Sequence, residues 1–110
     1  MAAVERHYRA LSERFGYVVP ISEDVLNLAG YQALRDNSPE EALRIFQRNV
    51  ELHPESPNVY DSLGEAFERN GDLRTAATQY QRAWELGERQ HHASTRLFKE
   101  HALRTQLPRP

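Results

Sequence analysis

One spacing, about 34 residues, recurs through the middle of this chain. It separates Gly30 from Gly64, Ala42 from Ala76, Phe46 from Tyr80, Gln47 from Gln81, Arg48 from Arg82, Glu51 from Glu85 and Leu52 from Leu86. So many coincident positions define an internal repeat, with one unit at residues 23–56 and a second, without a gap, at 57–90. Each unit reads as two helices joined by a turn. A single helix pair cannot bury its own apolar face, so copies must stack on one another.

The residue types suit such a stack. Gly30, Gly64, Ala42 and Ala76 are small where two helices would cross, letting the axes approach to roughly 8–10 Å. The rings of Phe46, Tyr80, Phe67 and Tyr60 then fill the space between pairs. Asn49 breaks the pattern, placing an amide where a small apolar residue should pack. It must find a hydrogen-bond partner or sit at the edge of the core.

The second unit, with Tyr60, Leu63, Gly64, Phe67, Ala76, Tyr80 and Ala83, resembles the tetratricopeptide-repeat family; only its usual late proline is replaced, by Glu88. The first unit, with Leu26, Ala29, Gly30, Ala33, Ala42, Phe46, Asn49 and Pro54, departs more. The resemblance implies an all-α chain in a right-handed superhelical stack of helix-turn-helix pairs. Two repeats are marginal alone, since about three stacked units are normally needed, so the flanks are expected to act as caps.

Residues 1–22 read as an N-terminal capping helix and connector. Val4, Tyr8, Leu11 and Phe15 share one face, Gly16 stops the helix, and Tyr17, Val18, Val19 and Pro20 form an extended link. Ser22 caps the next helix, with Glu23 and Asp24 in its first turn. Ser38, Pro39, Glu40 and Glu41 announce another helix start with a capping box, and Ser56 with Pro57 repeats the cap and proline. Asn70 and Gly71 read as a left-handed stop, and Gly87 as the end of a helix from about Leu73 to Leu86. Residues 91–106, entered from about Arg89, form a C-terminal capping helix, and 107–110 a frayed tail. Trp84 is expected to pack against Leu97 or Phe98.

The chain has 110 residues, 39% hydrophobic and 27% charged, with a net charge of -2. That fits one domain with a modest core and provides no global positive field for nucleic acid or anionic lipid. There is no cysteine, which excludes disulfides, thiol catalysis and cysteine-based zinc sites. No run of about 18 apolar residues exists, so no membrane span is expected. The start, MAAVERHYRALSERF, carries charges where a signal peptide needs an apolar stretch, and the sequence points to a cytoplasmic location.

Catalytic constellations are missing from the pattern. His91 and His92 are adjacent, and His101 lies roughly opposite them, so no pair has the spacing of a helical metal site. The carboxylates fall at caps and solvent faces. There is neither a G-x-S-x-G elbow nor a glycine-rich phosphate loop. The basic bias of Arg89, Arg96, Lys99, Arg104 and Arg109 comes with one interleaved aromatic, Phe98, too few to indicate nucleic-acid binding. No catalytic, cofactor or metal residue is therefore expected, and the chain reads as no enzyme.

The tetratricopeptide resemblance implies a concave protein-binding groove lined by Asp24, Asn27, Tyr31, Leu34 and Arg35 from the first unit and by Asn58, Asp61, Glu65, Glu68 and Arg69 from the second. Asn27, Tyr31 and Ser62 stand where some relatives carry the lysines and asparagines of a carboxylate clamp. That departure speaks against capture of acidic peptide C-termini. The partner implied is a basic or neutral protein or peptide segment with an apolar anchor near Tyr31 and Leu34, unless the N-terminal helix covers them. A second copy of the chain and a neighbouring domain are further expected partners.

The stretches HYRALSERFGYVVPISEDVLNLAGYQAL and NVELHPESPNVYDSLGEAF also resemble the C-terminal extension of certain bacterial α/β-hydrolase esterases. This implies an alternative function, a regulatory or structural tail packing in cis on a catalytic domain outside these residues. No catalytic residue is carried over from it.

Overall fold

A computed structural model describes residues 2–15 and 21–106. The described residues form six helices and no strand: α1 (Ala2–Phe15), α2 (Glu23–Arg35), α3 (Pro39–Leu52), α4 (Pro57–Arg69), α5 (Leu73–Gln90) and α6 (Thr95–Gln106). The fold is thus all-α. The Gly16 stop, the link through Pro20 and the tail after Gln106 lie outside the described residues.

The step from the start of α2 at Glu23 to that of α4 at Pro57 is one full period of the sequence repeat, and so is the step from Pro39 of α3 to Leu73 of α5. The turns repeat as well. Asn37 takes a left-handed φ of 59° and Gly71 one of 85°. After them Ser38 N–H donates to the Ala33 carbonyl at 2.8 Å and Asp72 N–H to the Phe67 carbonyl at 2.9 Å. These bonds satisfy carbonyls that the helix ends leave free. Ser22 Oγ accepts from Asp24 N–H at 3.2 Å, and Asp72 Oδ1 from Thr75 N–H at 3.1 Å. Ser38 and Ser56 make no side-chain cap; proline at the first helical position leaves fewer orphan donors there. Ser56 Oγ instead donates to Glu23 Oε2 at 2.8 Å, tying the entry of α4 to the start of α2.

α2 packs on α3, α4 on α5 and α6 on α5, while α4 also contacts α3 and α2. The main core joins Leu26, Ala33, Leu34, Ala42, Ile45 and Phe46 to Leu63 and Ala66 of α4. A second cluster joins Ala76 and Tyr80 to Ala102 of α6, with Phe67 bordering both clusters. Burying a side chain the size of Phe46 contributes about 1.5–3 kcal/mol. α1 reaches the main core through Val4, and its Glu5 lies 3.8 Å from Arg48 of α3.

Two expectations are corrected. Gly87 does not end α5, which continues to Gln90 and stops at His91, in the left-handed region with φ 52°. A Cβ on Gly87 would meet Thr95 Oγ1 at 2.8 Å and the Phe98 ring at 3.0 Å, so its smallness serves the approach of α6. The C-terminal helix accordingly starts at Thr95, several residues later than expected. Trp84 borders the second cluster, which includes Ala102 of α6; its indole N–H donates to Glu88 Oε1 at 2.7 Å and the Lys99 ammonium sits 5.6 Å from the ring centroid.

Candidate interaction surface

The residues expected to line a groove sit on α2 and α4, and they fall into three groups. Asp24, Arg35, Asn58 and Arg69 are exposed. Leu34 is buried in the main core, 9% exposed, and cannot serve as an open apolar anchor. Asn27, Tyr31, Asp61, Glu65 and Glu68 are half-buried and form a polar seam across α2, α4 and α6.

Ser62 of α4 joins the seam to α2. Its hydroxyl donates to Asn27 Oδ1 at 2.6 Å and accepts from the Tyr31 hydroxyl at 3.4 Å. The Tyr31 ring stands edge-on to Phe46, with centroids 5.2 Å apart. Burial, reinforced by Glu65, pushes the Tyr31 hydroxyl well above its ordinary pKa, so it stays a neutral donor. Glu65 pairs with Arg69 one turn on, at 3.5 Å.

α6 provides the other side. His101 Nδ1 lies 2.7 Å from Asp61 Oδ1, and the His101 ring stacks obliquely on Tyr80 at 5.0 Å. Burial raises the Asp61 carboxyl above its usual value, opposed by His101. Glu68 accepts a hydrogen bond from Tyr80 at 2.8 Å and a two-pronged contact from Arg104, whose Nη2 donates to Oε1 at 3.0 Å and whose Nη1 meets Oε2. Arg104 holds the Glu68 carboxyl below its usual range. Two acidic residues expected to face a partner are thus met by basic side chains of the chain's own last helix.

Ser62, His101 and Arg104 were not anticipated in this seam. Ser62 carried a signal, since a serine stood where the first unit has Leu28 and a buried apolar residue would suit stacking. His101 and Arg104 are one turn apart on a helix with basic bias, matching Asp61 and Glu68 two turns apart on α4. That match becomes visible only once α6 is known to lie alongside.

Leu34 and Arg69 also line a depression with Asn37 and Pro39, at the end of α4 nearest the α2–α3 turn. Among the described residues no group of three or more His, Asp or Glu side chains converges as a metal site would require, and no helix is long and apolar enough to cross a membrane. Comparison with protein-family models and with curated proteins gives no match.

Proposed function

We propose that this chain is a noncatalytic protein-interaction module of the tetratricopeptide-repeat type, its helix pairs stacked in a right-handed superhelix. The observation that carries the reading is the recurrence of one packing relation, a glycine under an aromatic ring, at Gly30 with Phe46 and at Gly64 with Tyr80. Repeated helix pairs of this kind act as binding scaffolds. The surface offered runs along α2 and α4, between Tyr31 and Glu65, flanked by the exposed Asp24 and Asn58. With Asp61 and Glu68 met by α6 and Glu65 paired with Arg69, the exposed Asp24 is the acidic group of this surface left to a partner, which favours a basic or neutral segment.

A display library of random peptides tests this. The reading expects enrichment of basic or neutral sequences on the intact chain, and loss of that binding in the double variant Tyr31→Ala, Glu65→Lys with helicity unchanged. Unchanged affinity in the double variant counts against the surface.

The esterase-like phrases around LNLAGYQAL support a second reading, a tail that packs on a catalytic domain in cis. A G-x-S-x-G motif upstream in the same reading frame would favour it, and hydrolysis of a simple ester by this chain alone, abolished by one substitution, would overturn both.

A further inference from the structure

Four positions on one side of α2, Val25, Leu28, Ala29 and Gln32, have counterparts one repeat later in α4, namely Val59, Ser62, Leu63 and Ala66. In α4 all four are buried, at 1, 5, 4 and 0% exposure, because α2 and α3 pack there. In α2 three of the four are open, with Val25 38% exposed, Leu28 66% and Gln32 exposed as well, while Ala29 is half-buried against the main core. α1 does not close it, since Glu5 places that helix beside Arg48 of α3 and Leu28 stays uncovered. A leucine thus stands in solvent where the second repeat, with the position covered, carries a serine.

We propose that this open side of α2 is a self-docking surface, and that its occupant is the same surface of a second copy, the two α2 helices lying antiparallel about a two-fold axis. At the far end of the stack α6 buries Phe98 at 1% and Ala102 at 0% exposure, and its exposed leucines, Leu97 at 47% and Leu103 at 43%, stand six positions apart and so on different sides of the helix rather than in one continuous face. The α2 side of a second copy, where Val25 and Leu28 stand one turn apart, is the better-matched apolar surface, and two identical patches meet about a two-fold axis. The charges agree with this orientation. Glu23 and Asp24 occupy the first turn of α2 and Arg35 the last, so an antiparallel pair sets unlike ends together and a parallel pair would set like against like. Because the proposal rests on the interaction-module reading, the two must be separable by experiment.

Sedimentation equilibrium of the full chain over a concentration series provides the test. A reversible dimer is expected, with a Kd of roughly 10–100 µM, as suits an interface at the small end of the range. Leu28→Glu should weaken it by about tenfold or more, with the unfolding midpoint unchanged because Leu28 is exposed in the protomer. Asp24→Arg should also weaken it, and Asp24→Arg with Arg35→Asp should restore it. A chain that stays monomeric, a dimer indifferent to Leu28→Glu, or no restoration by the charge swap overturns the proposal. A monomeric chain that still selects basic peptides would lose the self-docking claim and keep the proposed function.

Discussion

Phe46 closes over Gly30 so tightly that a methyl group on Gly30 would overlap its ring, and one repeat later Tyr80 stands in the same relation to Gly64, 2.8 Å from where a Cβ would sit. Both glycines are buried within helices, where alanine is intrinsically the better residue by about 1 kcal/mol. The close approach of the rings outweighs that preference.

Gly30→Ala and Gly64→Ala should therefore each destabilise the fold, by a net ~1–2 kcal/mol once overlap is set against helix propensity. Gly30→Ala should cost more, because its ring lies closer. Combining Gly30→Ala with Phe46→Leu should cost less than the sum of the two single changes. Urea unfolding midpoints check this, and a stabilising Gly30→Ala would refute the contact.

Asp61 and Glu68 sit two turns apart on α4 with their carboxyls pushed in opposite directions. Burial raises Asp61, so its contribution to stability is full below its unfolded-state pKa and is lost as pH rises through the native one. The hydrogen bond from Arg104 lowers Glu68, so its contribution is present above the unfolded-state pKa and is lost as pH falls through the native one. Between about pH 3 and 6, Asp61→Asn should make stability rise more steeply with pH than in the parent chain, and Glu68→Gln less steeply. Denaturation midpoints across that window should show this order, and the reverse order would contradict it.

Asn49 is fully buried; its Nδ2 donates to the Glu23 carbonyl at 3.1 Å while its Oδ1 has no partner. The bond gained and the oxygen left desolvated are of similar size, about 1 kcal/mol each. The second repeat places Ala83 at this position, also fully buried. Asn49→Ala should then change stability by less than about 1 kcal/mol, whereas Leu26→Ala in the same core should cost about 2–5 kcal/mol. Thermal or urea unfolding of the pair distinguishes them, and equal losses would mean Asn49 holds the α2–α3 packing.

The helix starts at Glu23, Pro39 and Pro57 were legible in the sequence because serine and proline mark them locally, and the start near Leu73 because it follows the turn at Asn70 and Gly71. That stop was legible because a left-handed turn needs a residue that tolerates positive φ. Gly87 misled because glycine serves two purposes: it frees the backbone, and it lets another helix come close. Its second use depends on Phe98, which reaches it only through tertiary packing. The polar seam was hidden for a related reason. Its bonds join residues far apart in the chain, such as Tyr31 with Ser62 and His101 with Asp61, and no local period encodes them. Residue types alone placed Asp61 and Glu68 in an open groove, when their charges are met by α6.

The claim on which the account depends is that two helix pairs repeat one packing relation. It is tested most directly by nuclear Overhauser contacts and ring-current shifts at the two glycines. The account predicts upfield Hα resonances at both Gly30 and Gly64, with contacts from Gly30 to the Phe46 ring and from Gly64 to the Tyr80 ring. A glycine with an unshifted Hα and no contact to its ring would show that the two units do not pack as copies.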